Sequence, residues 1–135
     1  MNTPEREPFR VELPLRHRDL DTLGHLNQAV YHELLEEVRS AFLREVLPDL
    51  SPAGYVLARV ELDYRREVTA AHRTVTGEAR VSGFGRSRVE LEQRLLRPDD
   101  AVAAQGRFVV VAWDGAARRS RPLDDRERKA LEAWT

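Results

Sequence analysis

A short run of alternating apolar and polar residues near the N-terminus is typical of a half-buried strand. Four apolar residues stand at alternate positions in it: Phe9, Val11, Leu13 and Leu15. Pro14 lacks a backbone N–H, so we expect this strand to lie at a sheet edge or to carry a bulge. The preceding residues 1–8 are mostly polar and predict a loose terminus.

The longest periodic segment predicts a helix from residue 28 to residue 46. Its apolar residues recur at three- and four-residue steps and therefore share one face: Val30, Leu34, Leu35, Val38, Ala41 and Phe42. Pro48 follows the segment, as expected where a helix stops. A helix with one broad apolar face needs a second layer to cover it, and the rest of the chain predicts a sheet.

Four more strands are predicted after the helix, at residues 56–64, 73–82, 88–96 and 106–113. Turn residues separate them, at 51–54, 83–85 and 98–100. The glycines at 83 and 85 can supply the positive φ of a hairpin. A short helix at 123–134, capped by Asp124 or Asp125, follows the last strand. Strands joined by tight turns pair antiparallel, so we expect one α+β domain over residues 1–135, its sheet curled around one long central helix.

Composition narrows the classes of function. The net charge of −1 gives no general attraction to nucleic acid or to a membrane surface. The absence of cysteine excludes disulfides, thiol catalysis and thiolate metal ligands. All apolar runs are too short for a membrane span and no signal peptide is evident, so we expect a cytoplasmic protein. No Gly-x-Ser-x-Gly motif occurs, which excludes a serine hydrolase of that type.

The residue types most often used in catalysis cluster between the first strand and the long helix. Residues 18–27 contain two aspartates, a glycine, a histidine and an asparagine. Backbone N–H groups at a helix start are available to a ligand, and the helix dipole favours negative charge there. Such a cluster can polarise a carbonyl group. It can also serve only to cap the helix through Asn27 and to turn the chain at Gly24.

Three pieces of the sequence, in this order, resemble the hot-dog-fold acyl thioesterases of the 4-hydroxybenzoyl-CoA and acyl-carrier-protein types. The first is Arg18-Asp19-Leu20-Asp21 with Gly24-His25, Asn27 and Tyr31, followed by Glu36-x-x-Arg39. The second is Asp63-Tyr64-Arg65-Arg66-Glu67, and the third is Gly83-Phe84-Gly85-Arg86-Ser87. The resemblance covers most of the chain. It implies a hot-dog fold and a hydrolase that acts on acyl thioesters in lipid metabolism.

The resemblance also implies catalytic residues. Asp21 occupies the position of the catalytic carboxylate in the 4-hydroxybenzoyl-CoA enzymes. The acyl-carrier-protein enzymes match at Asp21, His25 and Glu67, but Leu23 stands where they have a catalytic asparagine. That departure weakens the match to their full mechanism and leaves a simpler carboxylate mechanism intact. Thioester hydrolysis needs an activated water or an attacking carboxylate opposite a stabilised oxyanion.

Further roles follow from the same resemblance. The family's oxyanion contact is a backbone N–H at the start of the central helix, which falls on His25, Leu26 or Asn27. Some hot-dog enzymes use a helix glutamate as the catalytic carboxylate, so Glu36 and Glu37 are the fallback. Imidazole exchanges protons near neutral pH, which suits the histidine to proton transfer or to a loop hydrogen bond.

Substrate contacts are expected on the helix and at the glycine-rich hairpin, namely at Tyr31, Gly85, Arg86, Ser87 and Arg88. Backbone N–H and guanidinium groups there can meet a phosphate or a pantetheine arm. A second candidate contact for the CoA phosphates is a cluster of three arginines, Arg118, Arg119 and Arg121. The four histidines show no metal-ligand spacing, so we expect neither a metal nor a separate cofactor.

The expected function is hydrolysis of an acyl-CoA thioester, or of an acyl-carrier-protein thioester. A hot-dog hydratase or dehydratase and a non-enzymatic acyl-CoA-binding module stay open. Hydratases of this kind resemble an Asp-x-Asn-Pro-x-His pattern, which residues 21–25 lack, and a binding module would lose Asp21. We expect a homodimer or a dimer of dimers, since hot-dog subunits place their sheets side by side and an unpaired sheet edge invites aggregation.

Overall fold

The computed structural model describes residues 6–49 and 54–135. The strands are β1 (Phe9–Pro14), β2 (Tyr55–Tyr64), β3 (Thr74–Phe84), β4 (Arg88–Leu96), β5 (Val102–Asp114) and β6 (Arg119–Ser120). The helices are α1 (Gln28–Val46) and α2 (Asp125–Glu132), and short 3-10 turns lie at His17–Asp19 and Ala70–His72. Residues 51–53 of the predicted break lie outside the described residues.

One antiparallel sheet and one long helix form the body of the molecule. The strands pair in the order β1-β3-β4-β5-β2, and the short β6 pairs with the end of β5. The helix α1 packs against β1, β3 and β4. The sheet therefore curls around α1, which also contacts β5 through Arg39 and Phe108 and contacts β2 through Tyr31 and Tyr64. This arrangement confirms the predicted α+β architecture.

The predicted bounds of the long helix are confirmed, and so are the predicted caps of both helices. Residues Gln28–Val46 form α1, and the side chain of Asn27 accepts the N–H of Ala29 at 2.9 Å. The second helix is shorter than predicted, and its N-cap is Asp124, whose carboxylate accepts the N–H of Glu127 at 2.7 Å. The proline-containing strand β1 lies at a sheet edge, as its missing N–H requires.

Two strand predictions need correction. The last long strand begins at Val102, several residues before the apolar run, because ladder hydrogen bonds to β2 and β4 extend it there. The strand β3 continues through Phe84, so Gly83 lies within it beside a register shift. Neither Gly83 nor Gly85 has a positive φ; among the described glycines only Gly24 does, at 77°. The short strand β6 had no recognisable pattern.

Close packing joins α1 to the sheet at one glycine. A Cβ placed on Gly77 of β3 would lie 2.1 Å from Cγ2 of Val38 on α1. Val38 and Phe42 are fully buried on the same helix face. The absence of a side chain at Gly77 therefore lets α1 approach β3 closely, which brings the start of the helix into a defined place over the sheet.

Candidate active site

The residues before α1 form a loop held by one aspartate. The N–H of Asp21 donates to the His25 carbonyl at 2.8 Å, and Gly24 provides the left-handed turn between them. Asp21 Oδ1 accepts the N–H of Leu23 at 2.9 Å and that of His25 at 3.1 Å. Within the described part of the chain no donor reaches Asp21 Oδ2. One oxygen thus orders the loop, and the other is available for chemistry.

A glutamate from a distant part of the chain meets this loop. The N–H of Leu26 donates to the Val68 carbonyl at 2.7 Å, which draws the segment after β2 against the loop. As a result His25 Nε2 lies 3.0 Å from Glu67 Oε2, with both side chains partly exposed. Asp21, His25 and Glu67 all line one open cavity of about 400 Å³. The structure therefore brings together the three residues that the sequence motifs suggested.

Two tyrosines form part of the wall of the same cavity. Tyr31 is buried, and its ring meets that of Tyr64 edge to face with centroids 5.0 Å apart. The Tyr64 hydroxyl lies 3.2 Å from Nε2 of His32. Burial raises the pKa of the Tyr31 hydroxyl, and the neighbouring Tyr64 and Glu67 add to the effect. Tyr31 therefore stays protonated at neutral pH and can donate a hydrogen bond in the cavity.

The three backbone N–H groups expected to stabilise the oxyanion already donate hydrogen bonds within the protein. Each of the three N–H groups has an acceptor inside the protein: His25 donates to Asp21 Oδ1, Leu26 to the Val68 carbonyl and Asn27 to the Asp19 carbonyl. The next N–H belongs to Gln28, the first residue of α1, which also lines the cavity. A helix offers no internal acceptor to its first residues, and the described residues supply no other. Gln28 N–H is therefore the available donor at the helix start.

Other predicted carboxylates lie away from the cavity. Glu36 and Glu37 are on the exposed face of α1 and do not border it. Asp19, the first aspartate of the motif, is buried and its Oδ2 accepts the N–H of Arg16 at 2.7 Å, while the Arg16 guanidinium lies 3.3 Å from Oδ1. Asp19 therefore has a structural role, and Asp21 is the carboxylate that reaches the cavity.

The glycine-rich hairpin lies at the opposite end of the sheet from the cavity. Arg88 pairs with Val111, which in turn pairs with Val56 at the start of β2, whereas Tyr64 at the end of β2 borders the cavity. The strand from position 56 to position 64 spans about 26 Å. Within one chain, the structure does not bring the expected substrate contacts to the cavity: Gly85, Arg86, Ser87 and Arg88.

The three arginines near the C-terminus do not share one environment. Arg118 and Arg119 are exposed, but Arg121 Nη1 lies 2.6 Å from Oε1 of Glu127, a carboxylate that is 1% exposed. The hydroxyl of Tyr55 also donates to Glu127. Burial alone would raise the pKa of Glu127, but the hydrogen bonds from Arg121 and Tyr55 outweigh it and lower the pKa. Arg121 is thus engaged in joining α2 to the sheet.

Four residues that line the cavity were not singled out from the sequence: Gln28, Tyr64, Arg65 and Arg66. The last three directly precede Glu67 in the second motif. That motif could therefore have identified them as residues of the site. Across residues 6–49 and 54–135, no group of three or more His, Asp or Glu side chains is placed to hold a metal ion. No helix in these two segments combines the length and apolar character needed to cross a bilayer.

Comparison with known proteins supplies the family. Residues 15–132 match the thioesterase-like superfamily. A thioesterase from Thermus thermophilus, solved in complex with coenzyme A and Zn, is 34% identical over 95% of this chain and 94% of its own, with a TM-score of 0.86. A proposed thioesterase from Pseudomonas aeruginosa is 30% identical over 93% of this chain and 99% of its own, with a TM-score of 0.81.

A more distant structure shares the fold alone. A hypothetical protein from Staphylococcus aureus in complex with CoA is 15% identical over 99% of this chain and 87% of its own, with a TM-score of 0.83. No curated protein matches the chain with significant similarity. The curled sheet, the long helix and these neighbours define a hot-dog-fold thioester hydrolase. The chain belongs to the thioesterase-like superfamily.

Proposed function

We propose that the protein is an acyl-CoA thioesterase in which Asp21 supplies the catalytic carboxylate. This proposal rests on two groups, the Asp21 carboxylate and the Gln28 N–H, whose residues line the same cavity. Asp21 Oδ2 has no donor among the described residues, and the N–H of Gln28 has no acceptor there. A carboxylate and an oxyanion donor are the two elements that thioester hydrolysis needs. The CoA complexes of the Thermus and Staphylococcus proteins support CoA as the acyl carrier.

The geometry supports a mechanism in which the thioester carbonyl accepts from Gln28 N–H at the positive end of α1. Asp21 then acts as a base that takes a proton from attacking water, or as a nucleophile that attacks the carbonyl. In the second route the loss of thiol leaves an acyl–aspartyl anhydride, which water hydrolyses to the free acid and the Asp21 carboxylate. The C–S bond breaks, and the CoA thiol leaves. His25, held 3.0 Å from Glu67, is placed to protonate the leaving sulfur, and Arg65 and Arg66 on the cavity wall suit the CoA phosphates.

The proposal includes a homodimer, or a dimer of dimers, as the active form. The edge strand β2 exposes Val56, Leu57 and Tyr64, an apolar edge that a partner would cover. If two β2 strands pair antiparallel across a two-fold axis, the start of one lies beside the end of the other. The hairpin at residues 85–88 of the partner subunit would then come close to the cavity. This pairing accounts for the long separation of hairpin and cavity within one chain.

Sedimentation measures the expected assembly directly. We expect species of twice the chain mass or more at micromolar concentration. Observation of only the 15.5 kDa chain would contradict the assembly. The measurement should be repeated with CoA present, because a ligand shared between subunits would favour the dimer.

Release of free thiol from a panel of acyl-CoAs tests the reaction itself. We expect turnover with the wild-type protein, and an acyl-carrier-protein substrate in the same panel decides between the two carriers. A hydratase would instead consume crotonyl-CoA by adding water to its double bond without releasing thiol. A binding module would retain acyl-CoA in equilibrium dialysis and release nothing. Either of these two outcomes would replace the thioesterase proposal.

A further inference from the structure

The contact between His25 and Glu67 is too exposed to hold its own geometry. His25 Nε2 lies 3.0 Å from Glu67 Oε2, and the two side chains are 44% and 59% exposed. An ion pair in contact with solvent contributes little stability of its own. Within residues 6–49 and 54–135 the Glu67 carboxylate has no other hydrogen-bond partner. The geometry of the contact therefore depends on what holds the backbone at Glu67.

The segment that contains Glu67 is held on both sides by backbone hydrogen bonds. Before it, the carbonyl of Ala103 on β5 accepts the N–H groups of residues 65 and 66 at 2.8 Å and 3.2 Å. After it, the Val68 carbonyl accepts the N–H of Leu26 at 2.7 Å, and the Val68 side chain is fully buried. The carbonyl of Glu67 lies between these two points of attachment.

An arginine directly after β4 donates to that carbonyl. Arg97 Nη1 lies 3.2 Å from the Glu67 carbonyl oxygen, and no other donor in the described part of the chain reaches this oxygen. The Arg97 side chain is only 20% exposed. Its Nε and Nη2 donate to the two carboxylate oxygens of Asp99 at 3.1 Å and 2.5 Å. Two nitrogens of the guanidinium are thus fixed on Asp99, and the third reaches Glu67.

The turn between β4 and β5 fixes the position of Arg97. The N–H of Arg97 donates to the Ala101 carbonyl at 2.9 Å, and the Arg97 carbonyl accepts the N–H of Asp100 at 2.9 Å. Asp100 has a left-handed φ of 65°, and Asp99 Oδ1 also accepts the N–H of Ala101 at 3.2 Å. The hydrogen bonds from Arg97 hold the pKa of Asp99 well below its usual value, so this carboxylate is ionised at neutral pH. The guanidinium therefore has a defined orientation.

The position of Glu67 decides which nitrogen of His25 is available to the substrate. Glu67 engages Nε2, whereas Nδ1 has no partner among the described residues, and His25 lines the cavity. A protonated imidazole can give its Nδ1 proton to the sulfur as the C–S bond breaks and the electron pair of that bond stays on sulfur. The neutral ring then takes a proton from water. Displacement of Glu67 would turn the ring, and a misplacement of about 1 Å can cost about 10²-fold in rate.

We propose that Arg97 is a positioning residue for this proton transfer, because it holds the Glu67 carbonyl while Asp99 holds its guanidinium, and so keeps Glu67 against His25. The proposal rests on the thioesterase function proposed above. Arg97 does not border the cavity and touches no reacting atom. Its removal should therefore slow only the step that needs a proton on sulfur.

Two thioesters with the same acyl group separate this role from a structural one. The first is the acyl-CoA that the wild type hydrolyses fastest, whose alkyl thiolate needs a proton to leave. The second is the 4-nitrothiophenyl thioester, whose leaving group spreads its charge over the ring and needs none. We expect Arg97→Met to lower kcat/KM for the acyl-CoA by about tenfold or more, a part of the contribution of general acid catalysis. The loss on the aryl thioester should stay below about threefold, since Asp21 and the Gln28 N–H are unchanged.

A double-mutant cycle on the acyl-CoA tests whether Arg97 acts through Glu67. Glu67→Gln should also lower kcat/KM, and adding Arg97→Met to it should cost less than about a further threefold, because residues of one network are not additive. Losses that multiply would overturn the proposal, and so would equal losses on the two thioesters. Arg10→Met is the matched control: Arg10 forms an ion pair with Glu78 at 2.6 Å on β1 and does not border the cavity, so both rates should stay at the wild-type level.

Folding and the parent reaction are checked separately. Thermal unfolding shows whether Arg97→Met folds. If it does not, Arg97→Lys takes its place in the cycle, because an ammonium keeps the charge beside Asp99 but lacks the planar fork, and a smaller loss of the same kind is expected. If the wild type does not hydrolyse the aryl thioester, the cycle on the acyl-CoA decides alone. Absence of wild-type turnover on every acyl-CoA would overturn the thioesterase function, whereas normal turnover with multiplying losses would overturn only the role of Arg97.

Discussion

Replacing Asp21 by asparagine removes the negative charge and preserves most of the loop. The asparagine Oδ1 can continue to accept the N–H groups of Leu23 and His25, which now lie 2.9 Å and 3.1 Å from Asp21 Oδ1. The amide nitrogen takes the place of Oδ2, which has no donor within the described residues. Asp21→Asn is therefore a test of the charge itself, with little change in shape.

The expected magnitudes separate chemistry from folding. Loss of a general base costs about 10²–10⁴ in rate, so kcat should fall by that factor. The two N–H bonds that order the loop persist. Stability should therefore change by no more than about 1 kcal/mol, the scale of a carboxylate near a helix N-terminus. Binding of acyl-CoA should persist because the Gln28 N–H and the cavity walls are unchanged.

Three measurements on Asp21→Asn check this reasoning: thiol release, thermal unfolding and acyl-CoA binding. Glu36→Gln and Glu37→Gln serve as matched controls, since both glutamates are exposed on α1 and away from the cavity. Both controls should keep turnover near the wild-type level. Retention of more than about a tenth of wild-type turnover in Asp21→Asn would refute a catalytic role. Collapse of turnover in a helix variant would instead place the catalytic carboxylate on α1.

Three further predictions concern the framework and the metal dependence. Gly77→Ala should cost about 1–3 kcal/mol in a denaturant titration, because its Cβ would lie 2.1 Å from Val38 Cγ2, and Val38→Ala should restore part of the loss. Glu127→Gln breaks the ion pair with Arg121 and should lower the free energy of unfolding by at most about 3 kcal/mol. The loss is limited because the Arg121 side chain keeps some contact with solvent. The fold lowers the pKa of Glu127, so the stabilisation by this carboxylate is present at neutral pH and disappears as the pH falls below about 4. If the difference in free energy of unfolding between wild type and variant stayed the same in acid, the prediction would be wrong. Hydrolysis should survive exhaustive chelation, because no metal-binding group occurs in the described segments; loss of activity that a single metal restores would refute this.

The sequence by itself determined the two helices, the five longer strands to within a few residues, and the candidate carboxylate. The apolar period of residues 28–46 sets the bounds of α1, and Asn27 sets its start, because both effects act within one or two turns of helix. The strands followed from alternation, and Pro14 marked an edge strand because a missing N–H is a local property. Asp21 followed from a short motif whose members are neighbours in the chain.

The tertiary structure alone decided which groups of the site remain available. The pairing of residues 25–26 with the segment after β2 places Glu67 beside His25, and it also occupies the Leu26 N–H. These partners are distant in sequence, so no local pattern predicts whether Gln28 or its predecessors keep a free N–H. The placement of the 85–88 hairpin and the burial of Arg39 are decided in the same way. Each depends on strand register and on how α1 packs over the sheet, and these are through-space contacts that hydrophobic periodicity does not encode.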